Sequence, residues 1–355
     1  MMRVAVILFN LGGPDKLESV QPFLFNLFQD PAIISVPQPF RWMLAKLISS
    51  RRAPIAQEIY EHIGGKSPLL ELTTEQANAL EAECSDIGDV KAFICMRYWH
   101  PMSPETVANV KAYNPDKIIL LPLYPQFSTT TSGSSIKDWL KQARKAGLTA
   151  PTVEICCYPR ESGWISSQAK LVAETYAKSI ASQKSGDPKP RVLFSAHGLP
   201  KKVIEKGDPY QWQVEQTSAA VAEMLDIDGL DWLVCYQSRV GPLEWIGPST
   251  EDEIERAGKE GVPLIVVPIA FVSEHSETLV ELDIEYGELA EEAGVPAYHR
   301  VPAVGTHPDF ISAIGSLVKR AFQHDGAKNG TCISGEGGRL CPSTHTECPW
   351  TDKAA

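Results

Sequence analysis

The sequence predicts an α/β chain of two similar doubly wound domains whose parallel sheets face one cleft. Short, continuously apolar runs alternate with helix-length amphipathic segments, the pattern of parallel strands covered on both faces. Three strand-end loops of the first half recur in the same order in the second. The 355 residues also suffice for two domains of ordinary size.

In order, residues 3–9, 90–95, 117–121, 152–156, 191–194, 232–235 and 264–268 are strand-length apolar runs. Residues 74–83, 135–146, 165–182, 211–225 and 278–293 are helices between them. Phe9-Asn10-Leu11-Gly12-Gly13-Pro14 ends the first strand, and Phe194-Ser195-Ala196-His197-Gly198-Leu199-Pro200 ends a strand of the second half. Met96-Arg97-Tyr98 then answers to Cys235-Tyr236-Gln237, and Pro122-Leu123-Tyr124-Pro125 to Pro268-Ile269-Ala270-Phe271. The expected domains are residues 1–160 and 161–325, followed by a tail over 326–355.

From Phe9 to Tyr98 is 89 residues and from Phe194 to Tyr236 is 42, so the first half carries a surplus of 47. Within it, residues 31–57 hold no acid but contain Arg41, Lys46, Arg51 and Arg52, with Phe40, Leu44 and Leu47 at the spacing of one helix face. Two readings stay open: a helix packed on the core, or a basic, apolar lip that touches lipid or a greasy ligand.

A formal net charge of −11 argues against a nucleic-acid partner. The longest strongly apolar run, residues 262–272, is broken by Pro263 and Pro268 and falls short of the about 20 residues that span a bilayer. The N-terminal run 4–9 passes into Gly12-Gly13-Pro14 without a signal-peptide cleavage site. A cytoplasmic protein is therefore expected, and its eight cysteines are not expected to form disulfides.

Ligands of open parallel sheets bind beyond the carboxyl ends of the strands, so chemistry is sought in those loops. His197 sits at such an end; a lone histidine is more often structural, and its loop position argues for function. Glu277, Glu281 and Glu285 fall at i, i+4 and i+8 on one helix face, preceded by Glu274 and His275. Like charges so spaced repel, which leaves either a solvated acidic face or a site for a transiently bound divalent metal or a proton path. The hydroxyl-rich residues 124–135 can cap a helix and bind an anion. No Walker loop is present, and Gly12-Gly13 lacks the third glycine of a dinucleotide fingerprint.

These segments together resemble ferrochelatases, which insert ferrous iron into a porphyrin to make haem. The resemblance covers residues 3–325 and rests on Asn10-Leu11-Gly12-Gly13-Pro14, Tyr60 with Ile63-Gly64-Gly65-Lys66-Ser67-Pro68, Arg97-Tyr98-Trp99-His100-Pro101 and Tyr124-Pro125-Gln126-Phe127-Ser128. It continues through Ser195-Ala196-His197-Gly198-Leu199-Pro200, Gly207-Asp208-Pro209-Tyr210, Val240-Gly241-Pro242-Leu243-Glu244-Trp245-Ile246-Gly247-Pro248 and the acidic helix. It implies two Rossmann-like domains and a lyase-type chelatase that makes protohaem from protoporphyrin IX and Fe2+, releasing two protons by ring distortion and pyrrole deprotonation. His197 and Glu277 are then catalytic, and His197, Glu277, Glu281, Glu285 and His275 form the metal side. Leu11, Arg52, Tyr60, Arg97, Tyr98, Tyr124, Ser128 and Trp245 are the implied porphyrin contacts, with Arg52 or residues 128–131 holding a propionate.

The resemblance also favours the lip reading of residues 31–57, peripheral on the inner face of the membrane. Expected partners are porphyrin, ferrous iron, a membrane surface and a second copy of the chain as a homodimer, but no nucleic acid. The rivals are a coproporphyrin III ferrochelatase, a cobalt chelatase and, in another class, a tetrapyrrole carrier without catalysis.

Cys332, Cys341 and Cys348 crowd the tail. Some ferrochelatases hold a [2Fe–2S] cluster on three C-terminal cysteines and one distant cysteine, four thiolates in all. Here the spacing is wider than in the animal enzymes, and the distant position is Thr129, which supplies no sulfur. The fourth ligand is therefore expected elsewhere, at Cys157 or Cys156. A tail of unligated thiols, and zinc with His345 as fourth ligand, are the alternatives.

Overall fold

The structure, a computed structural model, describes residues 1–239, 243–324 and 332–350. The Val240-Gly241-Pro242 part of the motif noted above lies outside the described residues, as do parts of the tail. The chain divides into two compact units: Met1–Cys157 with Ile314–Arg339 and Pro349–Ala355, and Tyr158–Ala313 with Leu340–Cys348.

The strands are β1 (Arg3–Asn10), β2 (Asp89–Met96), β3 (Lys117–Pro122), β4 (Thr152–Cys157), β5 (Arg191–His197), β6 (Trp232–Gln237), β7 (Leu264–Pro268), β8 (Tyr298–Arg300) and β9 (Cys332–Ser334). The first unit holds the sheet β2-β1-β3-β4-β9, the second β6-β5-β7-β8, with every pairing parallel. Val4 to Phe9 and Val192 to Phe194 have no exposed surface. A parallel strand covered by helices on both faces has no polar side, which is why these segments read as unbroken apolar runs.

One plan is used in both units. The first strand pairs with the second and third, and the third with the fourth. Leu123 N donates to Phe9 O at 2.9 Å and Ile269 N to Ser195 O at 3.0 Å. Met96 N donates to Pro101 O at 2.7 Å and Tyr236 N to Pro248 O at 2.9 Å. Because Phe9 faces Pro122 and Ser195 faces Pro268, the registers match Phe9 to Ser195 and Met96 to Tyr236, one residue later than the motifs suggest.

The helices are α1 (Val20–Gln29), α2 (Phe40–Glu61), α3 (Leu69–Glu83), α4 (Ser103–Tyr113), α5 (Ser132–Lys145), α6 (Ser162–Ala181), α7 (Lys201–Glu205), α8 (Tyr210–Leu225), α9 (Thr250–Glu260), α10 (Tyr286–Glu292) and α11 (Pro308–Gln323). Helices α1 to α3 absorb the surplus between β1 and β2, where the second unit has only α7 and α8. Residues 277–285 are π-helical, not α-helical. On α2, Phe40 is 64% exposed and Leu47 47%, and Leu44 is also exposed, so this face is not packed on the core. Among the described residues no helix is long and apolar enough to cross a membrane.

Candidate active site

In the second unit, His197 is the last residue of β5, and its Nδ1 lies 2.9 Å from Glu277 Oε2. Glu277 Oε1 is 4.0 Å from His275 Nε2. Ser238, one residue past the end of β6, carries its Oγ 3.3 Å from Glu277 Oε2 and 2.6 Å from Glu281 Oε2. Glu281 also accepts from Ser238 N at 2.8 Å, Gln237 Nε2 at 3.2 Å and Tyr286 OH at 3.2 Å. From below, Tyr210 OH donates to the carbonyl of His197 at 3.1 Å. The π-helix widens each turn, a departure that recurs at functional sites.

Of the acidic stripe, Glu277 and Glu281 are thus brought to His197 and Ser238, whereas Glu285 is exposed. Glu274 serves the framework, accepting from Arg300 Nη1 at 2.6 Å and Ala303 N at 2.9 Å. His275 Nδ1 and Trp245 Nε1 are buried without a hydrogen-bond partner among the described residues. Among those residues, no three His, Cys, Asp or Glu side chains form a group that could hold a metal ion.

Charge follows geometry. Burial pulls the His197 imidazolium down, but the Glu277 carboxylate outweighs it and raises the pKa above the ordinary histidine value. Burial raises Glu277, and the facing His197 more than offsets this, so Glu277 stays ionised well below the usual carboxylate range. Burial, reinforced by the Glu277 charge, pushes Glu281 up to about 7. Burial holds His275 below its ordinary value. With Nδ1 engaged by Glu277, the other ring nitrogen of His197 is the one placed to take a proton.

In the first unit, Asp30 is the hub that the sequence did not announce. It is 3% exposed, and its Oδ2 takes Arg97 Nη2 at 2.8 Å, Tyr98 OH at 2.8 Å and the hydroxyl of Ser134. Ala32 N donates to its other oxygen at 2.8 Å. Arg97 Nε donates to Ser134 Oγ at 2.8 Å, and the guanidinium lies 5.1 Å from the Tyr98 ring centroid. The Leu11 carbonyl accepts from Tyr98 N at 3.0 Å. Tyr60 is buried, Tyr124 half-buried and Arg52 exposed on α2. Ser128 is buried, with its Oγ 2.8 Å from Thr130 Oγ1.

Thiols gather in both units. In the first, Cys156, Cys157 and Cys332 pack with Phe127, and Cys156 Sγ is 3.7 Å from Cys157 Sγ. In the second, Cys341 and Cys348 are buried, and Gln213 Nε2 donates to Cys341 Sγ at 3.0 Å. The His345 ring centroid lies 5.7 Å from that of Trp212.

The model of the Ferrochelatase family matches residues 3–322. A ferrochelatase of Pelagibacter ubique is 50% identical over 351 residues, covering 98% of each chain. One of Caulobacter vibrioides is 52% identical over 357 residues, covering 99% of each. Among solved structures, SirB from Bacillus subtilis with Fe3+ superposes with a TM-score of 0.53 at 13% identity, over 93% of this chain and 99% of that one, a likeness of fold.

Proposed function

The chain belongs to the ferrochelatase family and is a metal chelatase of the lyase type, and from that premise we propose that it inserts Fe2+ into protoporphyrin IX to give protohaem with release of two protons. The observation that carries the site assignment is the His197–Glu277 pair at the end of β5. A pyrrole nitrogen is a weak acid, and puckering the ring exposes its lone pair and eases proton loss. His197 accepts one of the two pyrrole protons on the ring nitrogen not engaged by Glu277, whose carboxylate stabilises the imidazolium so formed, and the acidic stripe of Glu277, Glu281 and Glu285 carries protons away. Glu277, Glu281 and His275 offer oxygen and nitrogen donors that replace the water of the arriving iron stepwise, with Glu285 outermost. Aromatic Tyr60, Tyr98, Tyr124 and Trp245, with Leu11 and Arg97, line the pocket of the apolar ring, while Arg52 or the loop of residues 128–131 meets a propionate. Anaerobic assays with protoporphyrin IX should run faster than with coproporphyrin III. A faster coproporphyrin reaction would overturn the substrate assignment, and porphyrin binding without turnover would leave a carrier.

The exposed face of α2 is the second element of this reading. Phe40, Leu44 and Leu47 among Arg41, Lys46, Arg51 and Arg52 suit a peripheral contact with an anionic membrane. Replacing the three apolar residues with Ser should weaken binding to anionic vesicles or slow uptake of apolar porphyrin. If neither changes, the helix has another role.

The tail is proposed to carry a [2Fe–2S] cluster on Cys332, Cys341, Cys348 and a fourth thiolate from Cys157 or Cys156. The reading draws on Cys332 packing with both candidate fourth ligands and on the amide N–H that Cys341 receives, a donor that favours thiolate, although the described residues show no three of these cysteines gathered as a metal-holding group. When bound, the cluster supplies structure or redox sensing, because insertion involves no net redox change. Anaerobically purified protein should absorb beyond about 400 nm, and Cys341→Ser should remove the band. Colourless protein with stoichiometric zinc would overturn it.

A further inference from the structure

We propose that Ser238 is the positioning residue of the metal-side carboxylates, an inference that rests on the chelatase reading above. Ser238 has φ +60°, and the other non-glycine residues of positive φ among those described are Asn114 and Asp226, both of them helix C-caps. Serine has no such duty here, and a left-handed backbone is unfavourable for any residue with a Cβ. Its consequence is visible: the turn aims the Ser238 N–H at Glu281 Oε1, 2.8 Å away, and the hydroxyl at Oε2, 2.6 Å away. Both oxygens of one carboxylate are therefore gripped by one residue. The same hydroxyl oxygen lies 3.3 Å from Glu277 Oε2, so it also sets the spacing between the two acids.

The internal repeat shows what is particular about this arrangement. By strand register, Gln237 and Ser238 occupy the positions of Arg97 and Tyr98 in the first unit. Both pairs hold a carboxylate. Arg97 and Tyr98 hold Asp30, each at 2.8 Å, and the guanidinium neutralises it. Gln237, Ser238 and Tyr286 hold Glu281 with neutral donors. Among the described residues, the second unit thus orients the Glu281 carboxylate without an ion pair to a resident cation, which suits a site that must receive ferrous iron and then release it. Ser238 acts through Glu281 and Glu277 and is not itself catalytic.

The test is steady-state kinetics of Ser238→Gly and Ser238→Ala beside the wild-type chain, with ferrous iron and protoporphyrin IX varied in turn. Losing a hydrogen bond to a charged group should raise the KM for iron by about tenfold or more in both variants, with the KM for porphyrin unchanged. Glycine relieves the backbone, so Ser238→Gly should fold at least as stably as wild type and decides the matter if Ser238→Ala folds poorly. A Ser238→Gly enzyme with the wild-type KM for iron would mean that the residue serves only the turn, and would overturn the proposal. A fall in kcat alone would overturn it too. A wild-type chain that does not metallate porphyrin would instead remove the chelatase reading, and this inference with it.

Discussion

Replacing His197 with alanine should abolish metallation yet leave porphyrin binding largely intact. Removal of a general base lowers turnover by about 10²–10⁴-fold, and here Glu277 also loses its partner at 2.9 Å. Glu277→Gln should fall in the same range, since it removes the charge that raises the His197 pKa. Glu285→Gln should turn over almost normally, because Glu285 is exposed. Single-turnover metallation under anaerobic conditions, with porphyrin binding followed by fluorescence, separates the effects. Near-normal turnover by His197→Ala would mean that another group takes the proton.

The second large effect falls on stability. Asp30→Ala would strip Arg97, Tyr98 and Ser134 of their common acceptor while keeping the Arg97 charge enclosed, its side chain being only 16% exposed. Breaking a buried pair from one side is destabilising by about 3–5 kcal/mol. Denaturant unfolding should show it as a clear fall in midpoint, with Asp30→Asn milder because it keeps an acceptor. An unchanged midpoint in Asp30→Ala would show that the network is solvated and adds little.

What the sequence disclosed and what it withheld follow from range. The seven apolar runs were legible because burial on both faces writes itself into consecutive residues, as in Val4 to Phe9. Strands β8 and β9 were not, being three residues long and half-polar or cysteine-bearing at the sheet edges. His197 and the acidic stripe were legible from their place just after strands. Ser238 and Asp30 were not, because their meaning comes from partners 43 and 68 residues away, Glu281 and Tyr98. The π-helix escaped as well, since a spacing of four between acids suits an α-helical face and a widened one alike. The resemblance to ferrochelatases supplied the reaction; periodicity alone stopped at a parallel α/β chain with polar groups at its strand ends.

Strand β9 has a consequence for the order in which the molecule comes into being. Strands β1 to β4 of the first unit precede the second unit in the chain, yet their sheet is closed by residues 332–334 on the outer side of β4. During synthesis β4 therefore waits as an open edge while about half of the chain is made, including nearly all of the second unit. The nascent N-terminal half is the aggregation-prone partner in that interval, and the second unit, contiguous over Tyr158–Ala313, is the one suited to closing early.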